Sequence, residues 1–216
     1  MTVVALTGGI AAGKSTVSKW LAAEGAILIY ADELARKAVE AGSKGLEEVV
    51  SRFGKHFLTP AGELDRSSLA ETIFDDPEAR EDLNIIVHPI VRLLFTDAVD
   101  KAKQEHPDRV LVYEIPLLVE TSARENFDLV VVVHAPAELR TQRLVADRGL
   151  SPVEAEARIN SQSSDEDRLA VADLIINSAA DPATTREGAL ELYQGLADYW
   201  PGPFQFRSKH LPSRGS

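Results

Sequence analysis

The residues best suited to chemistry lie near the start of the chain, where an apolar run leads into Gly8–Thr16. These letters fit the pattern G-x-x-x-x-G-K-[ST], in which main-chain amides converge on phosphate oxygens and the next helix adds its positive end. Lys14 could then reach the β- and γ-phosphates of a nucleoside triphosphate, and the Ser15 hydroxyl could bind Mg²⁺. A glycine-rich turn with a solvated lysine is the alternative, but a predicted strand before the loop and a helix after it favour phosphate binding. The predicted nucleotide-binding residues are Gly8, Gly9, Ile10, Ala11, Ala12, Gly13, Lys14, Ser15 and Thr16.

A loop of this kind predicts triphosphate binding and leaves the reaction open. A GTPase would need an N-K-x-D segment to recognise guanine, and the chain contains none. A small kinase would need a segment that binds the acceptor and a lid that keeps water from the reaction. Two long segments of the chain could serve, so a small kinase is favoured. A nucleotide-dependent switch that binds a partner, and a nucleotide-binding relative without activity, are the alternatives.

A candidate for proton transfer follows the second apolar run, in the segment Ala31–Arg36. We call Gly8–Thr16 the phosphate loop. In an open parallel sheet, ligands bind at the carboxyl ends of the strands, which predicts that Asp32 lies close to this loop. There it could accept a proton from an attacking hydroxyl. Its position suits a helix cap equally well. The residues alone leave both roles open.

The 216 residues have a globular composition, with 44% hydrophobic and 26% charged residues. The absence of cysteine excludes disulfide scaffolds, zinc–cysteine sites, iron–sulfur clusters and thiol catalysis. Lys and Arg number 23 against 34 Asp and Glu, and the net charge of −11 argues against binding to nucleic acid or to an anionic membrane. The chain opens without a charged leader and its longest aliphatic run is too short for a membrane span, so we expect a cytoplasmic protein.

Five short apolar runs, rich in β-branched residues, predict buried strands because they do not alternate with polar residues. Longer segments with helical spacing separate them. This alternation predicts an α/β fold, in which a doubly wound five-stranded parallel sheet is covered by helices on both faces. The predicted strands are Thr2–Leu6, Ala26–Tyr30, Arg109–Tyr113, Leu129–His134 and Leu174–Asn177.

The spacing of the predicted strands is uneven, which indicates two insertions. Ala31–Asp108 is too long for a simple crossover, and it contains helix starts at Asp65–Ser68 and Asp75–Glu78. Ala135–Ala172 is predicted to hold two or three charged helices, and Pro182–Trp200 a closing helix. The expected divisions are a nucleotide-binding core of residues 1–34, 107–134 and 170–200, a helical acceptor-binding insertion of residues 35–106, a lid of residues 135–169 and a flexible tail of residues 201–216.

The motifs together resemble the dephospho-coenzyme A kinase family. They are TGGIAAGKSTV at 7–17, ADELAR at 31–36, HPIVR at 88–92, PLLVE at 116–120 and IIN at 175–177. The resemblance implies a five-stranded parallel P-loop core, a helical coenzyme A-binding domain and a lid. It also implies ATP-dependent phosphorylation of the ribose 3′-hydroxyl of dephospho-coenzyme A, the last step of coenzyme A synthesis.

The resemblance implies roles for the residues that match these motifs. Asp32 matches the family's proposed catalytic base, and Lys14 and Ser15 match its phosphate and magnesium contacts. His88 and Arg92 lie one helical turn apart and would border the acceptor site. A helix start at His88, with Arg92 as a surface charge, is the alternative. The other implied site residues are Pro116, Leu117, Leu118 and Glu120 on the acceptor side and Asn177 on the nucleotide side.

Two arginines of the second insertion are candidates for catalytic contacts with the transferring phosphate. Arg140 and Arg143 fall three residues apart on a predicted helix, so both can face inward, and their planar guanidinium groups fit phosphate oxygens. An ordinary charged helix surface is the alternative. Gln162 matches the glutamine of the family's RI-x-x-Q pattern. The chain departs from the family at Tyr30, where many relatives have aspartate, and at Arg148, where Asp-Arg-Gly replaces Arg-Asp-Gly.

The predicted protein is therefore a kinase that uses ATP as donor, dephospho-coenzyme A as acceptor and Mg²⁺ as cofactor. A small P-loop kinase that acts on a nucleoside or nucleoside monophosphate is the nearest alternative. Neither nucleic acid nor a membrane is an expected partner. The sequence leaves the oligomeric state open.

Overall fold

A computed structural model describes residues 2–74, 76–121 and 123–199 of the chain. At its centre is a five-stranded sheet in the order β2-β3-β1-β4-β5, and β1 pairs in parallel with both β3 and β4. The predicted α/β class and the five strands are confirmed; the last two strands have the predicted bounds, and ends of the first three are displaced by one or two residues. The strands are β1 (Val3–Thr7), β2 (Ile27–Tyr30), β3 (Leu111–Glu114), β4 (Leu129–His134) and β5 (Leu174–Asn177).

Helices connect the strands. Within the described residues they are α1 (Lys14–Ala23), α2 (Ala31–Ala38), α3 (Lys44–Phe53), α4 (Arg66–Ile73), α5 (Pro77–Glu105), α6 (Ala137–Arg148), α7 (Pro152–Asn160), α8 (Asp165–Ala170) and α9 (Pro182–Tyr199), with 3₁₀ turns at Lys55–Phe57 and Ala123–Asn126. The predicted closing helix, Pro182–Trp200, agrees with α9 as far as Tyr199. Trp200 and the predicted flexible tail lie outside the described residues. No helix in the described parts of the chain is long and apolar enough to cross a membrane.

The sheet is buried because its central strands are apolar on both faces. Val4 of β1 lies opposite Val112 of β3 and Leu129 of β4, and each of the three is at most 5% exposed. Side chains of α1 and α9, among them Val17 and Leu192, complete the same core. Continuous apolar strands of this kind are typical of parallel sheets that helices cover on both faces.

The described residues divide into two compact units. The first runs from the N-terminus to Ile29 and resumes at Ala102, and it contains most of the sheet. The second is Tyr30–Lys101, which is helical.

The second unit has a hydrophobic core of its own. The two helix starts predicted in this unit agree with the first residues of α4 and α5. Asp65 accepts a hydrogen bond from Ser68 N at 3.0 Å as the N-cap of α4, and α5 begins at Pro77. The alternative that a helix starts at His88 is wrong, because α5 continues through Pro89. The core residues are Val39, Leu46, Val49, Phe57, Leu69, Ile73 and Ala79.

The helices α6 and α7 of the first unit begin where their sequences predict. Pro136 precedes α6, and Ser151 caps α7 in a reciprocal pair with Glu154. Buried side chains of α6 and α7 pack together and reach Ile10 and Ala11 of the phosphate loop. Tertiary packing thus places the second predicted insertion directly against the loop.

Candidate active site

The phosphate loop connects β1 to α1, and it contains glycines at positions where a side chain would be strained or would clash. Gly13 is the N-cap of α1 with φ 93° and ψ 15°, in the left-handed region. A Cβ on Gly8 would collide with the carbonyl of Val133. No side chain caps α1. Its first amides therefore have no side-chain acceptor at the N-cap and can receive an anion.

Lys14 supplies a positive charge to this loop. Its Nζ donates to Gly8 O at 2.7 Å and to Gly9 O at 3.3 Å. The side chain is therefore folded back along the loop, with the ammonium group held by the same peptide groups that would surround a phosphate. An ammonium at this point can contact the phosphates of a bound nucleotide.

Ser15 lies beside a buried carboxylate. Its Oγ donates to Glu114 Oε1 at 3.2 Å, and Ser18 Oγ donates to Glu114 Oε2 at 2.6 Å. Glu114 ends β3 and is only 8% exposed, so the two hydroxyls replace part of the water it has lost.

The Ser15 hydroxyl and the Glu114 carboxylate are the oxygen ligands that Mg²⁺ prefers. No group of three or more His, Cys, Asp or Glu side chains able to hold a metal exists within the described residues. Mg²⁺ in kinase sites takes one or two protein ligands and completes its shell with waters and phosphate oxygens. The residues present therefore fit Mg²⁺ bound together with a nucleotide.

Arg143 of α6 contacts the phosphate loop at Ala11. Its Nη1 donates to Ala11 O at 3.2 Å, and its Nη2 donates to Ser178 O at 2.6 Å. Ser178 follows β5, is 5% exposed, and its hydroxyl donates to Ala12 O at 2.5 Å. Ser178 thus fixes both the loop and the arginine. Nothing in the sequence singles it out, because a serine after a strand is common.

Arg140, one turn earlier on α6, is buried rather than exposed to solvent. It is 2% exposed, and its Nη2 donates to both carboxylate oxygens of Asp165 at 2.7 and 2.8 Å. Both arginines predicted to face inward do so, whereas Arg148 at the end of α6 is exposed. Asp165 is a residue that the sequence analysis missed, since an acid in the first turn of a helix is usual.

The turn between α7 and α8 contacts two loops of the site. Gln162 Oε1 accepts a hydrogen bond from Ile10 N at 2.7 Å. Glu120 Oε1 accepts one from Ser163 N at 3.0 Å. Burial raises the pKa of Glu120, but the hydrogen bonds from Ser163 and the charge of Arg168 lower it more, so that it lies below its ordinary value.

The remaining predicted residues of the first unit differ in exposure. Leu118 is 1% exposed and belongs to the interior, whereas Leu117 is 47% exposed in the turn after β3. Pro116 lies in the same turn. Asn177 is exposed at the end of β5, where its Oδ1 accepts from Ala179 N at 2.9 Å.

The second unit carries the other predicted site residues. Asp32 is exposed in the first turn of α2, whose N-cap is Tyr30 without a side-chain hydrogen bond. The alternative that Asp32 caps the helix is therefore wrong, although its charge still favours the positive end of α2. His88 and Arg92 are exposed one turn apart on α5.

Comparisons with known proteins agree with this arrangement. A family model described as dephospho-CoA kinase matches residues 2–183. The chain is 45% identical over 196 residues to a dephospho-CoA kinase of Leifsonia xyli, covering 91% of the chain and 99% of that protein. A solved dephospho-CoA kinase from Campylobacter jejuni is 31% identical with a TM-score of 0.70, over 90% of this chain and 96% of that one. A dephospho-CoA kinase of Mycobacterium leprae, 44% identical over 89% of this chain, is longer, and the match covers 46% of it.

Proposed function

The chain belongs to the dephospho-CoA kinase family, and we propose that it transfers the γ-phosphoryl group of ATP to the ribose 3′-hydroxyl of dephospho-CoA. As a member of this family it is a kinase that phosphorylates dephospho-CoA in the final step of coenzyme A biosynthesis. The matches to known kinases argue against the alternative that the protein is a nucleotide-dependent switch. A cytoplasmic location stays a prediction from the sequence.

On the donor side, the phosphate loop Gly8–Thr16 binds the triphosphate through its amides and the start of α1. Lys14 moves from the carbonyls of Gly8 and Gly9 to the phosphates, where its charge offsets the charge that develops during transfer. Arg143 orders the loop from α6 and adds a second cation. Asn177, exposed where β5 ends, lies at the nucleotide side of this core.

A kinase that uses ATP requires a divalent metal, and Mg²⁺ suits the residues present. The Ser15 hydroxyl would bind it directly, and Glu114, hydrogen-bonded to that hydroxyl at 3.2 Å, would hold its waters or bind it in turn. When bound, Mg²⁺ neutralises charge on the β- and γ-phosphates. The protein contributes the placement of these two oxygen groups.

On the acceptor side, residues 35–106 form the domain that binds dephospho-CoA. His88 and Arg92 present a ring and a cation from one face of α5, suited to a phosphate-bearing acceptor. Asp32 accepts the proton of the attacking hydroxyl, and its exposure leaves the carboxylate accessible. In the first unit, the turn after β3 supplies Pro116, Leu117 and Glu120 as proposed acceptor contacts, and Leu118 anchors that turn in the core.

The observation that carries the proposal is the phosphate loop, in which Gly13, Lys14 and Ser15 have the geometry for a triphosphate within a chain that matches the family model over residues 2–183. The test is ADP release from ATP and magnesium with a panel of acceptors: dephospho-CoA, nucleosides, nucleoside monophosphates and no acceptor. Only dephospho-CoA should support fast release. Fast release with a nucleoside instead would make the chain a kinase of another substrate.

Lys14→Ala tests the donor site independently. Removing one such electrostatic contact costs about 3–4 kcal/mol in the barrier, so kcat should fall by about 10²- to 10³-fold. Lys19→Ala is the matched control, because Lys19 is an exposed lysine on the same helix. If Lys14→Ala and Lys19→Ala turn over alike, the proposed role of Lys14 is wrong.

A further inference from the structure

A charged group beside the phosphate loop lacks a hydrogen-bond partner among the residues that the structure describes. Arg140 is 2% exposed, its Nε donates to Ala135 O at 3.0 Å, and its Nη2 donates to Asp165. Its Nη1 is buried and has no hydrogen-bond partner among the described residues. A charged donor is costly to leave unpaired away from water. Such a group is expected to serve a ligand that arrives from outside the protein.

The unpaired Nη1 lies against the phosphate loop. A Cβ added to Gly9 would fall on Arg140 Nη1, 3.0 Å from its Cζ and 3.3 Å from Arg168 Nη2. The absence of a side chain at Gly9 is therefore what admits the guanidinium group to the loop. Gly9 O also accepts from Lys14 Nζ, so the two cations approach the same peptide.

Asp165 holds this guanidinium in place, and Arg168 in turn holds Asp165. Asp165 accepts from Arg140 through both oxygens, and its Oδ1 also accepts from Arg168 Nη2 at 2.6 Å. Arg168 is itself 4% exposed. Two anchors, Nε on Ala135 O and Nη2 on the Asp165 carboxylate, fix the plane of the guanidinium group, and this leaves Nη1 beside Gly9. Neither Asp165 nor Arg168 belongs to the phosphate loop or to the motifs that carry the family resemblance.

We propose that Asp165 and Arg168 are positioning residues, which hold Arg140 so that its Nη1 donates to a polyphosphate oxygen when the nucleotide binds. The inference rests on the proposed function, because it needs a nucleotide in the loop. It goes beyond that function by naming the two residues that orient a buried cation toward the transferring group. A purely structural role would be a clamp that joins α6 to α8 and has no effect on phosphoryl transfer.

The first experiment compares Asp165→Asn with Glu166→Gln. Both remove one negative charge from α8, but Glu166 is exposed. Asp165→Asn should lower kcat about 10- to 100-fold, the usual effect of losing a residue that orients a catalytic group. The KM for dephospho-CoA should change by less than about twofold, since Arg140 lies in the donor-side unit. Activity is measured well below the unfolding midpoint of each variant. Equal kcat in the two variants would overturn the proposal.

The second experiment is a double-mutant cycle with Arg140→Gln. If Asp165 acts through Arg140, Asp165→Asn should cause no further loss of kcat in the Arg140→Gln background. Losses that multiply would show that Asp165 acts by another route and would overturn the proposal. Arg140→Lys keeps the charge without the planar guanidinium group, and it serves as the background if Arg140→Gln does not fold.

The two proposals fail in different ways. Rapid phosphorylation of an acceptor other than dephospho-CoA would overturn the proposed function, while the cycle on Asp165 and Arg140 could still be measured with that acceptor. Wild-type kinetics for Asp165→Asn, with dephospho-CoA as the good acceptor, would overturn only the present inference.

Discussion

Replacing Gly9 with alanine isolates the contact between the phosphate loop and the buried arginine. The φ angle of Gly9 is outside the left-handed region, so alanine fits the backbone without strain. Its methyl group would instead overlap Arg140 Nη1 and lie 3.0 Å from Arg140 Cζ, well inside ordinary van der Waals separation. The side chain would have to move, and its two bonds to Asp165 at 2.7 and 2.8 Å would lengthen or break.

The magnitude follows from overpacking of a buried site, which costs about 1–3 kcal/mol. A chain of this length loses about 2–4 °C in Tm for each kcal/mol, so we expect Gly9→Ala to unfold about 2–12 °C earlier. Displacing Arg140 should also lower kcat at least tenfold, as loss of a residue that orients the site does. Thermal unfolding without ligand and steady-state kinetics with ATP and dephospho-CoA measure the two effects separately.

Two further variants decide whether the overlap is the cause. In an Arg140→Gln background the shorter side chain leaves room for the methyl group, so Gly9→Ala should lower the Tm much less, while kcat stays low. Gly62→Ala is the control for kcat alone: a Cβ there meets no atom within 4 Å and Gly62 is exposed in the second unit, although its φ of 78° makes alanine lower the Tm. If Gly9→Ala lowers the Tm equally in both backgrounds, the steric reasoning is refuted.

Three other perturbations have defined outcomes. Ala11 has φ 59°, a backbone conformation that costs a residue with a Cβ about 1–2 kcal/mol. Glycine removes this strain but makes the unfolded chain more flexible, so Ala11→Gly should raise the free energy of unfolding, measured in urea, by up to about 1 kcal/mol. A decrease would contradict this. Glu114→Gln should raise the Mg²⁺ concentration for half-maximal activity by about tenfold or more, and an unchanged magnesium titration would show that Glu114 plays no part in metal binding. The pKa of Glu120 is lowered in the fold, because the hydrogen bonds from Ser163 and the charge of Arg168 outweigh the effect of burial. Its stabilising contribution is therefore present above the unfolded pKa of about 4.3 and lost as the pH falls through the lower folded value. The unfolding free energy of the wild type should accordingly fall toward that of Glu120→Gln between about pH 5 and pH 3, and a constant difference would contradict the shift.

Much of this protein could be predicted from local sequence. The five strands are contiguous apolar runs, and their burial on both faces follows from composition alone. The phosphate loop is also contiguous, so the types and spacing of Gly13, Lys14 and Ser15 carry its geometry. Helix starts such as Asp65 and Ser151 are set by side chains that bond to amides three residues later, and the structure has them where they were expected.

Local sequence did not decide the role of Asp32 or the helix boundary near Pro89, because each residue is compatible with two local structures. Asp32 fits a cap or a base from its position, and only the dihedral angles of Tyr30, which make that residue the N-cap, exclude the first. Pro89 suggests a helix start, but α5 passes through it. A proline is tolerated inside a helix when surrounding packing outweighs the lost hydrogen bond, and packing is not visible in sequence.

The contacts that shape the site were decided only by tertiary structure. Ser178 bonds to Ala12 across 166 positions of the chain, Glu114 bonds to Ser15 across 99, and Asp165 bonds to Arg140 across 25. In each pair one partner, Ser178, Glu114 or Asp165, is of a residue type that is common at its own place in the chain. They meet because the strand order puts β1 between β3 and β4, so that the segments following three separate strands converge on the loop that leaves the central one. Sequence determined which segment we propose to bind phosphate, and the order in which the chain passes through the sheet determined which distant side chains contact that segment.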